Sequence, residues 1–114
     1  MYYDVLFHVD TDVAMFTMAL RNAGNYIDAL GDQSYSVAIV VNGNAIELLK
    51  RADCANAELI SRLAVRGVSF YACQNAMREH EIRQDELISE AIIVPAGVVH
   101  LVKLQREGFA YIKP

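Results

Sequence analysis

Val68-Ser-Phe-Tyr-Ala-Cys-Gln-Asn-Ala-Met77 changes its period at Cys73. Before the cysteine, Val68, Phe70 and Ala72 alternate as one face of a strand does; after it, Gln74 to Arg78 holds no breaker and continues as a helix. A strand that runs straight into a helix leaves the cysteine sulfur facing unpaired backbone N–H groups. Those donors and the positive end of the helix dipole favour thiolate over thiol, which makes Cys73 a candidate nucleophile. A plainer reading competes with this one: a lone cysteine after a strand also serves as a small buried hydrophobe.

Working outward, the same alternation of strand and helix recurs on both sides. Tyr3 to Val9 reads as a first strand, and Asp10-Thr11-Asp12 supplies capping side chains for a helix. Val13, Phe16, Leu20, Ala23, Ile27 and Leu30 then recur at three- and four-residue steps, the apolar face of a long helix that Gly31 ends. Tyr35 to Val41 is the second strand, and its unbroken apolar run from Val37 fits a parallel strand covered on both faces. Asn42-Gly43-Asn44 turns the chain. Asn44 with Glu47 imitates a capping box that opens a helix through Ile46, Leu48 and Leu49. Asn56 starts another, with Leu59, Ile60 and Leu63 inward and Arg66-Gly67 as its end.

Beyond the Cys73 helix, Glu79-His80-Glu81 is a charged stretch and Asp85 to Ser89 a solvated loop with a helical turn. Ala91 to Val94 is the fourth strand and Pro95-Ala96-Gly97 a turn. Val98 to Arg106 is a helix with Val98, Leu101, Val102 and Gln105 on one side, and Phe109 to Ile112 is a short fifth strand. The pattern predicts an α/β fold: one domain over residues 1–114, a three-layer α/β/α sandwich around a mostly parallel five-stranded sheet.

Composition limits the function classes. A net charge of −4 without a Lys/Arg cluster argues against a nucleic-acid partner. The longest apolar stretch, Ala91 to Val102, is broken by Pro95, Gly97 and His100 and is too short to span a membrane. The N-terminus lacks the basic start and cleavage site of a signal peptide, so the expected compartment is the cytoplasm. Cys54 and Cys73 form no CxxC pair, and in a reducing compartment they are expected as free thiols. The 54 % apolar share is high for so short a chain and predicts that other subunits cover part of its surface.

Open parallel sheets bind ligands at the carboxyl ends of their strands, where loops and helix N-termini converge. The candidate lining residues stand there: His8 and Asp10 at the end of the first strand, Asn42, Gly43 and Asn44 after the second, Gln74 and Asn75 beside Cys73 after the third, and Pro95 and Gly97 after the fourth. His8 is either a structural residue or a base or hydrogen-bond partner for the thiol. Asp10 and Asp12 are explained by capping. His80 is read as a surface residue, and His100 as partly buried packing. Cys54, between two helical patterns, reads as structural. The histidines and cysteines are too scattered for a zinc site, and Asn42-Gly-Asn44 has the spacing of no nucleotide-binding loop, so neither metal nor cofactor is expected.

Phe70-Tyr-Ala-Cys-Gln-Asn-Ala-Met77 resembles the cysteine motif of the DsrE/DsrF-like sulfur-relay family, which includes TusD-like subunits. Val40-Val-Asn-Gly-Asn-Ala-Ile46 is similar to that family's glycine turn after the second strand. Val94-Pro-Ala-Gly-Val98, with Leu104-Gln-Arg-Glu-Gly-Phe-Ala-Tyr111, resembles its C-terminal unit, so the likeness covers essentially the whole chain. It implies a carrier in which Cys73 accepts sulfane sulfur as a persulfide and passes it to a partner thiol, working as a trimer or hexamer with donor and acceptor proteins. A second class stays open beside it: a non-catalytic homo-oligomeric module whose rim holds a small ligand or a protein.

Overall fold

The computed structural model describes residues 1–114. Five short apolar runs form strands: β1 (Val5–Val9), β2 (Val37–Val41), β3 (Val68–Cys73), β4 (Ala91–Val94) and β5 (Ala110–Ile112). Between them lie α1 (Val13–Leu30), a 3-10 helix (Gly43–Leu49), α2 (Ala57–Val65), α3 (Gln74–Glu79), a single 3-10 turn (Gln84–Glu86) and α4 (Gly97–Arg106). Every strand pairing is parallel, in the order β4-β3-β2-β1-β5. The sheet is therefore wholly parallel rather than mostly so.

Strand order fixes the layers. From β1 to β4 each connection steps one place in the same direction, and right-handed crossovers put all of those helices on one face. The return from β4 to β5 runs the other way across the sheet, so α4 lies on the opposite face. Packing follows suit. Phe7, Val9, Ile39, Val41, Phe70 and Ala72 bury against Phe16, Leu20, Ile46, Ile60, Leu63 and Met77 from α1, the 3-10 helix, α2 and α3. On the far side only Leu6, Ala38 and Val40 close against Leu101 and Leu104 of α4, flanked by Tyr71 and Phe109. A lone helix covers that face, and Val98, Val99 and Val102 are left more than half exposed, with relative areas of 62 %, 66 % and 55 %.

Three local expectations are corrected. Asn44–Glu47 caps nothing: the element is a 3-10 helix that begins at Gly43, after Asn42 in extended geometry, with no side-chain cap. Three residues per turn, rather than 3.6, bring Ala45, Ile46 and Leu49 inward. In α4 the buried side is Gly97, Leu101 and Leu104, while Val98 and Val102 point outward, because the sheet packs a face rotated from the one the valines suggest. His80 is no free surface residue; its Nδ1 lies 2.8 Å from Glu47 Oε2 and ties the end of α3 to the 3-10 helix. The helix after β1 is capped as its sequence suggests, with Asp12 Oδ1 accepting from Met15 N–H at 3.0 Å.

Candidate functional site around Cys73

Cys73 is the last residue of β3 and the N-cap of α3. Its backbone is still extended, at φ −75° and ψ 116°, so its side chain turns back over the first turn of the helix, and Sγ accepts from Ala76 N–H at 3.4 Å. Sulfur here takes the place that a serine or aspartate oxygen takes at most helix starts. The residue is 6 % exposed. Its remaining access is through a cleft of about 180 Å³ lined by Asn42, Gly43, Cys73, Asn75, Ala76, Glu79, Ala96, Gly97 and Val98.

Two glycines give the cleft its shape. Gly43 adopts φ +57°, and a β-carbon there would meet the Asp10 carbonyl at 3.0 Å, so the turn after β2 can pass close over the end of β1 only as glycine. Gly97 opens α4 directly above the end of the sheet. A β-carbon on it would lie 3.0 Å from Asn42 Cβ and 3.2 Å from Cys73 Cβ. Its lack of a side chain lets the helix seat against both residues.

The structure gathers part of the expected rim and leaves part outside. Asn42, Gly43, Asn75 and Gly97 line the cleft with Cys73. Gln74, Asn44 and Pro95 are exposed and do not line it. Asp10 stands below Gly43, with its carboxylate 2.7 Å from Lys113 Nζ. His8 does not bond the sulfur. Its Nε2 lies 2.8 Å from Asn42 Oδ1 and its Nδ1 2.6 Å from Tyr111 Oη, so both ring nitrogens are engaged. Tyr111, Glu79 and Val98 were not among the residues expected from sequence. Glu79 and Val98 lie one helical turn or one residue from named ones, but Tyr111 meets His8 across 103 residues of chain, and no local pattern signals it.

The other titratable side chains lie apart from this cleft. Cys54 is half-buried, its Sγ donates to the Leu48 carbonyl at 3.5 Å, and burial pushes its thiol up from the ordinary range. His100 packs on Tyr71 with ring centroids 4.1 Å apart and planes tilted by 47°, and burial lowers its pKa, with Lys103 adding to the effect. No three His, Cys, Asp or Glu side chains converge as a metal site requires. A wider open depression of about 660 Å³, bordered by Arg51, Gln84, Leu87 and Ile93, shares no residue with the Cys73 cleft.

A wholly parallel α/β sandwich with a helix-capping thiol at the carboxyl edge of its sheet defines the class. The chain belongs to the DsrE/DsrF-like family, whose model matches residues 4–114. It is similar to a solved structure of a protein of unknown function, MTH1491, from Methanobacterium thermoautotrophicum: 32 % identity, 98 % of this chain and 99 % of that one covered, TM-score 0.90. No curated protein matches the chain. No helix is long and apolar enough to cross a membrane.

Proposed function

We propose that the protein is a sulfur-relay carrier that holds sulfane sulfur as a persulfide on Cys73 and passes it to a partner thiol. The observation that carries this reading is the Ala76 N–H donated to Cys73 Sγ in the lining of a small cleft. A donor aimed at sulfur stabilises it as an anion, both when it attacks and when it leaves. The cleft size agrees. At about 180 Å³ it is smaller than the roughly 300–1,000 Å³ of pockets for drug-sized ligands, yet it accommodates one added sulfur.

Each transfer is balanced without an outside oxidant. The Cys73 thiolate attacks the terminal sulfur of a donor persulfide, the donor's S–S bond breaks, and its electron pair leaves on the donor thiolate. The acceptor thiolate then attacks the outer sulfur on Cys73, and the Cys73 thiolate departs with the bonding pair. One S–S bond forms as another breaks in each step. Donor and acceptor are proteins of the reducing cytoplasm, and the carrier is a homo-oligomer, a trimer or hexamer, assembled through the apolar face of α4. Val98 belongs to both the cleft lining and that exposed face, which supports an assembly in which partners reach the thiol from the α4 side.

Intact-mass analysis after incubation with polysulfide tests the chemistry. Wild-type protein should gain a reducible sulfur that Cys73→Ser does not. No adduct on the folded wild type, or the same adduct on Cys73→Ser, would defeat the carrier reading in favour of a binding module. Light scattering during gel filtration tests the assembly: wild type should elute as an oligomer and Val99→Glu/Val102→Glu as a smaller species. A wild-type monomer at all concentrations would refute it.

A further inference from the structure

On the α4 side of the sheet, a hydrogen-bonded line of polar side chains runs from β5 through β1 to the residue just past β2, next to Cys73 at the end of β3. Tyr111 comes from β5 and His8 from β1; Asn42 and Cys73 stand one step past Val41 and Ala72, the last residues of β2 and β3 to precede them in register. Tyr111 Oη is 2.6 Å from His8 Nδ1, and His8 Nε2 is 2.8 Å from Asn42 Oδ1. Hydrogen-bonding capacity sets the direction of this line. An amide oxygen only accepts, so Nε2 carries a proton and donates; in the Nε2–H tautomer the bare Nδ1 accepts from the Tyr111 hydroxyl.

The consequence falls on the other end of the Asn42 amide. With Oδ1 held by His8, Nδ2 is turned to the α4 side, where a β-carbon on Gly97 would stand 3.4 Å from it. It makes no hydrogen bond within the chain, although Asn42 lines the cleft with Cys73. Two N–H donors are therefore held from behind by His8 and left without a partner in the chain, on a residue that shares its cleft with Cys73.

We infer that Asn42 Nδ2 is the donor for the outer sulfur of the Cys73 persulfide, and that His8 and Tyr111 are positioning residues that fix the direction of its amide. The inference rests on the carrier reading. It divides the work between two donors: Ala76 N–H serves the inner sulfur, which must leave as thiolate, and Asn42 serves the outer sulfur, which bears the charge of the persulfide anion. Asn42 transfers no proton, and the bonds made and broken are those already balanced above.

Asn42→Asp keeps an acceptor for His8 and nearly the same shape, but replaces the donor with a like charge. After polysulfide loading and removal of excess reagent, a small thiol is added as acceptor for the outer sulfur, and the fraction of Cys73 still carrying sulfur is followed by intact mass. Asn42→Asp should lose its sulfur at least about tenfold faster than wild type, the usual weight of a hydrogen bond to a charged group. Tyr111→Phe, which keeps the ring at an exposed site, should lose it at an intermediate rate. Unchanged retention in Asn42→Asp overturns the inference while the carrier reading stands. A wild type that never loads overturns both. Nitrogen-15 NMR of the imidazole ring gives an independent readout: His8 should be the Nε2–H tautomer in wild type, and an Nδ1–H tautomer would overturn the assignment whatever the sulfur does.

Discussion

Gly97→Ala should destabilise the protein even though alanine is the better helix former. The added methyl would enter at 3.0 Å from Asn42 Cβ and 3.2 Å from Cys73 Cβ, distances that require α4 or the ends of β2 and β3 to move by a few tenths of an ångström. Neither neighbour is the free end of a long side chain. Both are β-carbons fixed to a parallel sheet. Overpacking of this kind costs about 1–3 kcal/mol, against a helix-propensity gain of at most about 1 kcal/mol, so a net loss of about 1–2 kcal/mol is expected. Gly24 supplies the contrast. It lies inside α1, where a β-carbon would meet only Leu63 Cδ2, at an ordinary 3.9 Å. There the propensity gain is unopposed, and Gly24→Ala should stabilise by about 0.5–1 kcal/mol. Urea denaturation resolves both: with a slope near 2 kcal/mol per M, the midpoint should fall by about 0.5–1 M for Gly97→Ala and rise by about 0.3–0.5 M for Gly24→Ala. A Gly97→Ala midpoint at or above that of wild type would refute the claim that α4 is seated on those two β-carbons.

The remaining stability prediction concerns acid. His100 has its pKa lowered by burial, and its Nε2 is buried without a partner, so the folded state disfavours the imidazolium that the unfolded chain readily forms. Its contribution is complete above the ordinary histidine pKa of about 6.5 and is lost as pH falls toward the depressed folded value. His100→Phe keeps a ring against Tyr71 and removes the titrating nitrogen. Its stability measured by urea titration should therefore be flatter than wild type between pH 7 and 5, and parallel curves would exclude His100 as the source of the slope.

The framework was legible in the sequence wherever one physical signal dominated. Val37–Val41 is apolar at every position because both faces of β2 are covered, and Asp12 precedes an amphipathic helix with the side chain its first turn needs. The face of α4 was not legible. Val98, Val99, Leu101, Val102 and Leu104 offer several apolar stripes, and the choice among them is made by the sheet rather than by the helix. The turn after β2 misled for a related reason: Asn44 and Glu47 have capping-box spacing, but Gly43 with its positive φ starts a tighter helix two residues earlier. At the site, Cys73, Asn42 and Gly97 are recognisable because strand ends converge in any parallel sheet. The link through Tyr111 depends on β5 lying beside β1, which no local pattern encodes.

That placement of β5 also bears on how the chain is made. Until residues 110–112 have left the ribosome, β1 presents one long side of unpaired N–H and C=O groups beside a sheet whose other strands can already be joined. Such an edge is a template for wrong pairing with another chain. The short strand that closes it is also the one that brings Tyr111 to His8. The fifth strand therefore ends the period of aggregation risk and, in the same step, completes the polar line behind the cysteine, so a chain caught before closure lacks both.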